Sequence, residues 1–401
     1  MSNDAGQVRA QRSESATAKR AEKPREPRAE KSAKPRSRGR RGTPVVAVTG
    51  AAHGLGELLV RRLASSDAVK KVIAIDTIRG DVAGATWRLA DVREPVLADR
   101  LSGIDTVVHL AVDIEAATER PDRHSTNTRG TATVLTAAAA AGVRHVVLMT
   151  SAMVYGALPD NPVPLAEGTE LRATADATLL GDLLEMERLA AQATRTHPGL
   201  DVTVLRPAAL VGPGVDTVVT RHFEAPRLLA VKGSEMCWQF CHVDDLMSAL
   251  HTVVTTGIAD DDAAPGGRYT VAAVGADGWL DRADIERITT KRHIELPAAV
   301  AFGTAERLHR LGATPASSND LQFLVYPWVV AADRLTAHGW RPAVDNEAAL
   351  RSALAESAGR LAIGGHRLGR RDAAAGAAVG ATVALVGTAA LVRRARRRRH
   401  G

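Results

Sequence analysis

Aromatic residues make up only 3% of this 401-residue chain, which also has just two cysteines and eight lysines. With so few rings, a core has to be assembled from alanine, valine and leucine. Cys237 and Cys241 can supply neither a disulfide framework nor the four ligands of a structural zinc site, and no metal site is expected. Lying beside Trp238 and Phe240, they read as small buried apolar side chains. No apolar run follows the N-terminus, so a secretory signal is not expected and the folded part is placed in the cytoplasm. The basic residues are arginine by 44 to 8, alongside abundant alanine. Such a bias follows from genomic base composition, so the arginines do not by themselves indicate phosphate recognition.

What charge there is lies unevenly. The formal net charge is +7, yet residues 1–43 carry +8 and residues 393–401 carry +6, which leaves −7 for residues 44–392. A folded nucleic-acid-binding face needs its positive charge on the globule, so no nucleic-acid partner is expected. With 45% hydrophobic residues, the middle of the chain is long enough to bury one large core or two that share an interface.

Residues 1–43 have no apolar periodicity and are expected to be a disordered basic tail. Short apolar runs then recur: Pro44–Val48, Val72–Ile75, Thr86–Leu89, Thr106–Leu110, Val146–Met149 and Val202–Leu205. Helical patterns alternate with them at Glu57–Leu63 and at about 130–141 and 179–195. Strands buried on both faces and joined by helices predict a doubly wound parallel-sheet α/β domain over 44–205. Residues 206–358 predict a smaller, partly interleaved substrate-side domain. Within it the His242-Val243-Asp244-Asp245 segment returns to the first core, with His242 packed at the junction. A linker follows at 359–372.

The first strand runs into Thr49-Gly50-Ala51-Ala52-His53-Gly54-Leu55-Gly56. Gly50 allows the tight turn, Gly54 lets backbone approach a pyrophosphate, and Gly56 lets the helix pack closely. The helix N-terminus favours the phosphate charge. Asp76, ending the second strand, is placed to accept from an adenosine ribose. Its charge favours NAD over NADP, although Arg79 stands three residues on. Thr49, Gly50, His53, Gly54, Leu55, Gly56 and Asp76 are therefore candidate cofactor contacts.

Further motifs, in order, resemble those of the extended short-chain dehydrogenase/reductases, the NAD-dependent epimerase/dehydratase family. They are Asp91-Val92, His109-Leu110-Ala111, Asn127-Thr128-Arg129-Gly130-Thr131, Thr150-Ser151-Ala152-Met153-Val154-Tyr155-Gly156, Arg206-Pro207 with Gly212-Pro213-Gly214, His242-Val243-Asp244-Asp245 and His338-Gly339-Trp340-Arg341-Pro342. The likeness covers roughly 44–355, although the glycine spacing is that of the shorter subgroup. It implies a Rossmann fold, a homodimer, a small-molecule substrate, and cofactor contacts from Asp91, Val92, Leu110, Ala111 and Asn127. It also implies a catalytic Ser151 beside Thr150.

One departure concerns chemistry. The family's Tyr-x-x-x-Lys pair moves a proton while hydride passes to nicotinamide. This chain has three tyrosines, Tyr155, Tyr269 and Tyr326, and none has Lys four residues on. Counting back from Glu187 puts Leu179 at the Tyr position and Leu183 at the Lys position. Asp182 and Glu185, on the same helix, point about 100° and 200° away from Leu183. Tyr155 reads as a structural or lining residue. Ala209 stands where family members that bind nucleotide-sugars carry Asn.

Residues 373–392 hold twenty uncharged residues ahead of the arginine cluster. That length matches a bilayer core, and Gly376 and Gly380 form a GxxxG pattern. Three dispositions fit: a span, a helix lying on an anionic inner membrane face, or a soluble helix docked on protein. Two functions also stay open. One is an NAD-dependent oxidoreductase acting on a hydroxyl-bearing substrate such as a nucleotide-sugar or related alcohol. The other is a catalytically inactive NAD-binding sensor or scaffold, attached to the membrane or not.

Overall fold

The apolar runs become strands because β-branched residues fill them and helices cover both faces. They are β1 Val45–Thr49, β2 Lys71–Asp76, β3 Ala85–Leu89, β4 Thr106–His109, β5 His145–Met149 and β6 Asp201–Pro207. A seventh strand, Tyr269–Val274, pairs with β6. It comes from residues that the sequence reading placed in the smaller domain. The computed structural model describes residues 43–368 except 116–119, 177, 259–266, 311–317, 359–360 and 364–365. The readings made for the basic tail, for 373–392 and for the arginine cluster thus lie outside the described residues.

All seven strands are parallel, in the spatial order Tyr269–Val274, β6, β5, β4, β1, β2, β3. The winding direction reverses between β1 and β4, which opens a crevice outside their carboxyl ends. One hydrophobic cluster joins the sheet to helix α1, Gly54–Ala64, and to the helix Val243–Thr256. A second cluster joins the opposite face to the helices Gly130–Ala140 and Leu179–Thr196.

Beyond the carboxyl end of β6, the short strands Ala209–Val211 and Phe240–His242 pair in parallel. Leu228–Val231 pairs with His293–Leu296. Here the amide of Gln239 replaces a sheet: its nitrogen donates to the carbonyls of Ala276 and Val330, and its Oε1 accepts from Val330 N–H. His242 is buried, accepting from Asp244 N–H at the start of its helix and meeting Ser352 at 3.2 Å. Cys241 is buried as expected, but Cys237 lies in a loop and is only half-buried. Among the described residues no helix is long and apolar enough to cross a membrane.

Candidate functional site

β1 delivers the glycine-rich turn to the crevice. Gly50 has φ +70°, and a Cβ there would come within 2.8 Å of the Leu110–Ala111 backbone at the end of β4. A Cβ on Gly56 would lie 1.8 Å from the Gly50 carbonyl oxygen, so the first turn of α1 rests directly on the turn before it. Gly54 has φ +52° with nothing within 4 Å of where a Cβ would be. His53 is exposed and gives the helix no side-chain cap. The His53 carbonyl accepts from Glu57 N–H at 3.2 Å, but no side chain caps the amides of Gly54, Leu55 and Gly56, which favour an anion.

Two polar ties hold this turn. Thr49 Oγ1 lies 2.8 Å from His109 Nδ1, and His109 Nε2 lies 3.3 Å from Thr131 Oγ1. Complete burial lowers the His109 pKa to about 4, so the ring is a neutral link between β1, β4 and the helix Gly130–Ala140. At the end of β2, Asp76 Oδ2 accepts from Ala52 N–H at 3.0 Å while Oδ1 accepts from Thr77 N–H at 2.7 Å. The carboxylate thus braces the glycine turn from the neighbouring strand. Arg79 is exposed.

Asp91 receives Arg93 on both oxygens, at 2.6 to 3.1 Å. That hydrogen bonding lowers the Asp91 pKa despite partial burial. Val92 and Leu110 are buried, and Ala111 is half-buried. Asn127, in a π-helical turn Ser125–Arg129, spends its amide on one loop residue. Its Oδ1 accepts from Asp113 N–H at 2.7 Å and its nitrogen donates to the Asp113 carbonyl at 2.9 Å. Asn127 thereby fixes the loop after β4.

The Thr150 hydroxyl is buried and donates to Glu187 Oε1 at 2.8 Å. Ser151 stays half-buried, its Oγ accepting from Met153 N–H at 3.2 Å. Glu187 also receives Arg206 on both oxygens and the Tyr269 hydroxyl at 2.8 Å. Burial pushes the Tyr269 pKa up, and the Glu187 charge adds to this. The Tyr155 hydroxyl donates to the Glu167 carbonyl at 2.8 Å, its ring lies 4.7 Å from the Arg206 guanidinium carbon, and burial raises its pKa. On the same helix Leu179 is half-buried at the first turn and Leu183 has no exposed surface. Asp182 turns aside to Arg123 Nε at 2.9 Å and His124 Nδ1 at 2.7 Å, and Glu185 turns to Arg188. Among the described residues no group of three or more His, Cys, Asp or Glu could hold a metal.

The glutamate–arginine cluster carries a signal in the sequence. Arg206 directly follows the apolar-rich run Val202–Leu205, and a charge buried there needs a partner.

Residues 46–272 match the NAD dependent epimerase/dehydratase family. The chain belongs to that family. It is 28% identical over 314 residues to an uncharacterized protein of Mycobacterium tuberculosis, covering 74% of this chain and 80% of that one. It is 32% identical over 185 residues to sterol demethylase protein B of Methylococcus capsulatus, covering 41% of this chain and 51% of that one. Among solved structures, UDP-galactose 4-epimerase superposes with a TM-score of 0.57 at 21% identity, over 78% of this chain and 98% of that one. MoeE5 in complex with UDP-glucuronic acid and NAD gives 0.58 at 22% identity, with the same coverage. These likenesses carry the fold: a Rossmann-type sheet of NAD-dependent epimerases and dehydratases.

Proposed function

We propose that the chain binds NAD across the carboxyl ends of β1, β2 and β4 and acts as an NAD-responsive binding protein. On this reading it does not use the family's tyrosine–lysine proton transfer. The residues present fit the cofactor. The uncapped first turn of α1, with open space at Gly54, suits a pyrophosphate. Asp76 keeps lone pairs for a ribose and disfavours a 2′-phosphate. NAD, when bound, supplies a hydride acceptor; this chain's part is to hold and orient it.

The observation that carries the non-catalytic reading is Leu183. Glu187, four residues on, ties the helix to Arg206, Thr150 and Tyr269, which fixes the rotation of the helix. Leu183, in the family's lysine position, then falls inside the core with no exposure. Leu179, in the tyrosine position, has no proton to exchange, and the hydroxyls of Tyr155 and Tyr269 are spent inside the fold. A second reading, oxidation of a hydroxyl-bearing substrate, rests on the half-buried Ser151 hydroxyl, which makes no donation to protein in the described structure.

Calorimetric titration with NAD tests the binding, with Gly54→Val and Asp76→Ala weakening it. Absence of binding to the wild type overturns both readings. Appearance of NADH absorbance with UDP-glucose or a 3β-hydroxysteroid, lost in Ser151→Ala, replaces the first reading with the second.

A further inference from the structure

The turn Thr49–Gly56 holds one side chain that can carry charge, His53. Its backbone is extended, with φ −143° and ψ 164°, and its ring is exposed. Among the described residues the ring has no hydrogen-bond or ion-pair partner. Beside it Gly54 leaves open space, with nothing within 4 Å of where a Cβ would stand. The amides before it are committed: Ala51 N–H donates to the Ile75 carbonyl at 3.3 Å, and Ala52 N–H donates to Asp76. An unpaired imidazole therefore stands in solvent where the uncapped amides of α1 begin.

The other charged groups around the turn are accounted for. Glu57, the acid in the first turn of α1, receives Arg61 at 2.7 and 3.1 Å, and Arg61 also reaches Asp81 at 3.5 Å. From the end of β2, Asp76 holds the N–H groups of Ala52 and Thr77. His109, at the end of β4, is buried with its pKa lowered to about 4, so it stays neutral. In the loop after β4, Asp113 Oδ1 accepts from Glu115 N–H at 3.0 Å. Arg79 is exposed, but a guanidinium keeps its charge at every neutral pH. His53 is left as the titratable cation of the turn.

We propose that His53 is a proton-dependent contact for a phosphate of the bound dinucleotide. Backbone N–H groups at a helix N-terminus offer a phosphate only partial charges. A protonated imidazole adds a full charge through a charge-assisted hydrogen bond, which the neutral ring cannot match. Binding then takes up a proton, so affinity rises as pH falls and is lost as the imidazole gives its proton up. The inference rests on the NAD reading and adds the group that makes the holding of NAD respond to pH, with no turnover required.

Calorimetric titration of the full chain with NAD, from pH 8 to pH 6 in buffers free of phosphate, is the test. A contact that raises an imidazole pKa by about one unit gives roughly fivefold tighter binding at pH 6 than at pH 8, and uptake of about half a proton at pH 7. The uptake is read from the difference between two buffers of unlike ionisation enthalpy. His53→Gln should hold the wild-type affinity of pH 8 at every pH and take up no proton. His53→Arg should bind tightly and without slope, and Arg79→Gln should leave the slope intact. The same titrations with NADP separate the two kinds of phosphate: equal slopes for both dinucleotides place His53 at the pyrophosphate, and a slope for NADP alone places it at the 2′-phosphate. A slope or proton uptake that survives in His53→Gln, or a flat profile for both dinucleotides in the wild type, overturns the proposal while NAD binding stands. No binding of NAD at any pH overturns the NAD reading as well.

Discussion

Arg206 grips Glu187 through two parallel contacts, Nε to Oε1 at 2.8 Å and Nη2 to Oε2 at 2.5 Å, with side chains only 5% and 2% exposed. Three strands and one helix meet there, since Thr150 follows β5, Arg206 belongs to β6 and Tyr269 opens the seventh strand. Glu187→Ala leaves a buried guanidinium without its counter-charge and should cost about 3–5 kcal/mol. Glu187→Met with Arg206→Met should recover much of that loss. Urea unfolding of the two variants checks this; equal loss in both would show that the pair contributes through packing alone.

The glycines of the turn are expected to fail in different ways. Gly56→Ala puts a methyl into the Gly50 carbonyl, so both folding stability and NAD affinity should fall sharply. Gly54→Ala meets no atom, and its cost is the strain of φ +52°, about 1 kcal/mol. Thermal unfolding with and without NAD separates the two. A Gly56→Ala protein as stable as Gly54→Ala would contradict the close contact.

Placing lysine at the core-facing position of the Leu179–Thr196 helix should be damaging. Leu183→Lys buries an ammonium with no acid supplied for it, which costs several kcal/mol or drives the lysine neutral. Leu179→Tyr, at a half-buried first-turn site, should fold nearly as the wild type. Denaturation midpoints measured at pH 7 and pH 10 check this: Leu183→Lys should regain stability at the higher pH, where the lysine is more readily neutral.

Stability should fall on acidification before most carboxylates titrate. His109 and His222 are held neutral in the folded protein, with pKa values of about 4 and about 3, while the unfolded chain takes up protons near 6.5. The unfolded state therefore binds more protons below about pH 6.5, and the folded state loses ground as pH drops towards 4. At pH 5 the loss is roughly 2 kcal/mol for each ring. His109→Asn should flatten part of this slope in denaturation curves taken from pH 7.5 to 5. An unchanged slope would mean that His109 takes up its proton without unfolding.

Much of this was legible in the sequence, and for identifiable reasons. Apolar β-branched runs and the Thr49–Gly56 turn are local signals, so β1 to β6 appear within a residue or two of their expected ends. The π-helical turn Ser125–Arg129 carries no such signal, because it follows from Asn127 reaching the Asp113 backbone. The region after β6 is held together by single polar side chains such as Gln239 and Asn346. Asn346 Oδ1 accepts from Phe240 N–H across more than a hundred residues. Periodicity cannot register contacts of that kind. Helix geometry did foretell that Asp182 points away from Leu183, but not that Arg123 and His124 would meet it.

The seventh strand also has a consequence for how the protein is made. On the ribosome, β6 emerges more than sixty residues before Tyr269–Val274, and until then its Val202–Leu205 edge has no neighbour on that side. An apolar strand with open backbone groups is a template for pairing with other chains. A fragment ending at 205, cut where the first domain ends by sequence, should therefore come out aggregated, while one that extends through 274 gives β6 its neighbour. The nascent chain has to wait for its own edge.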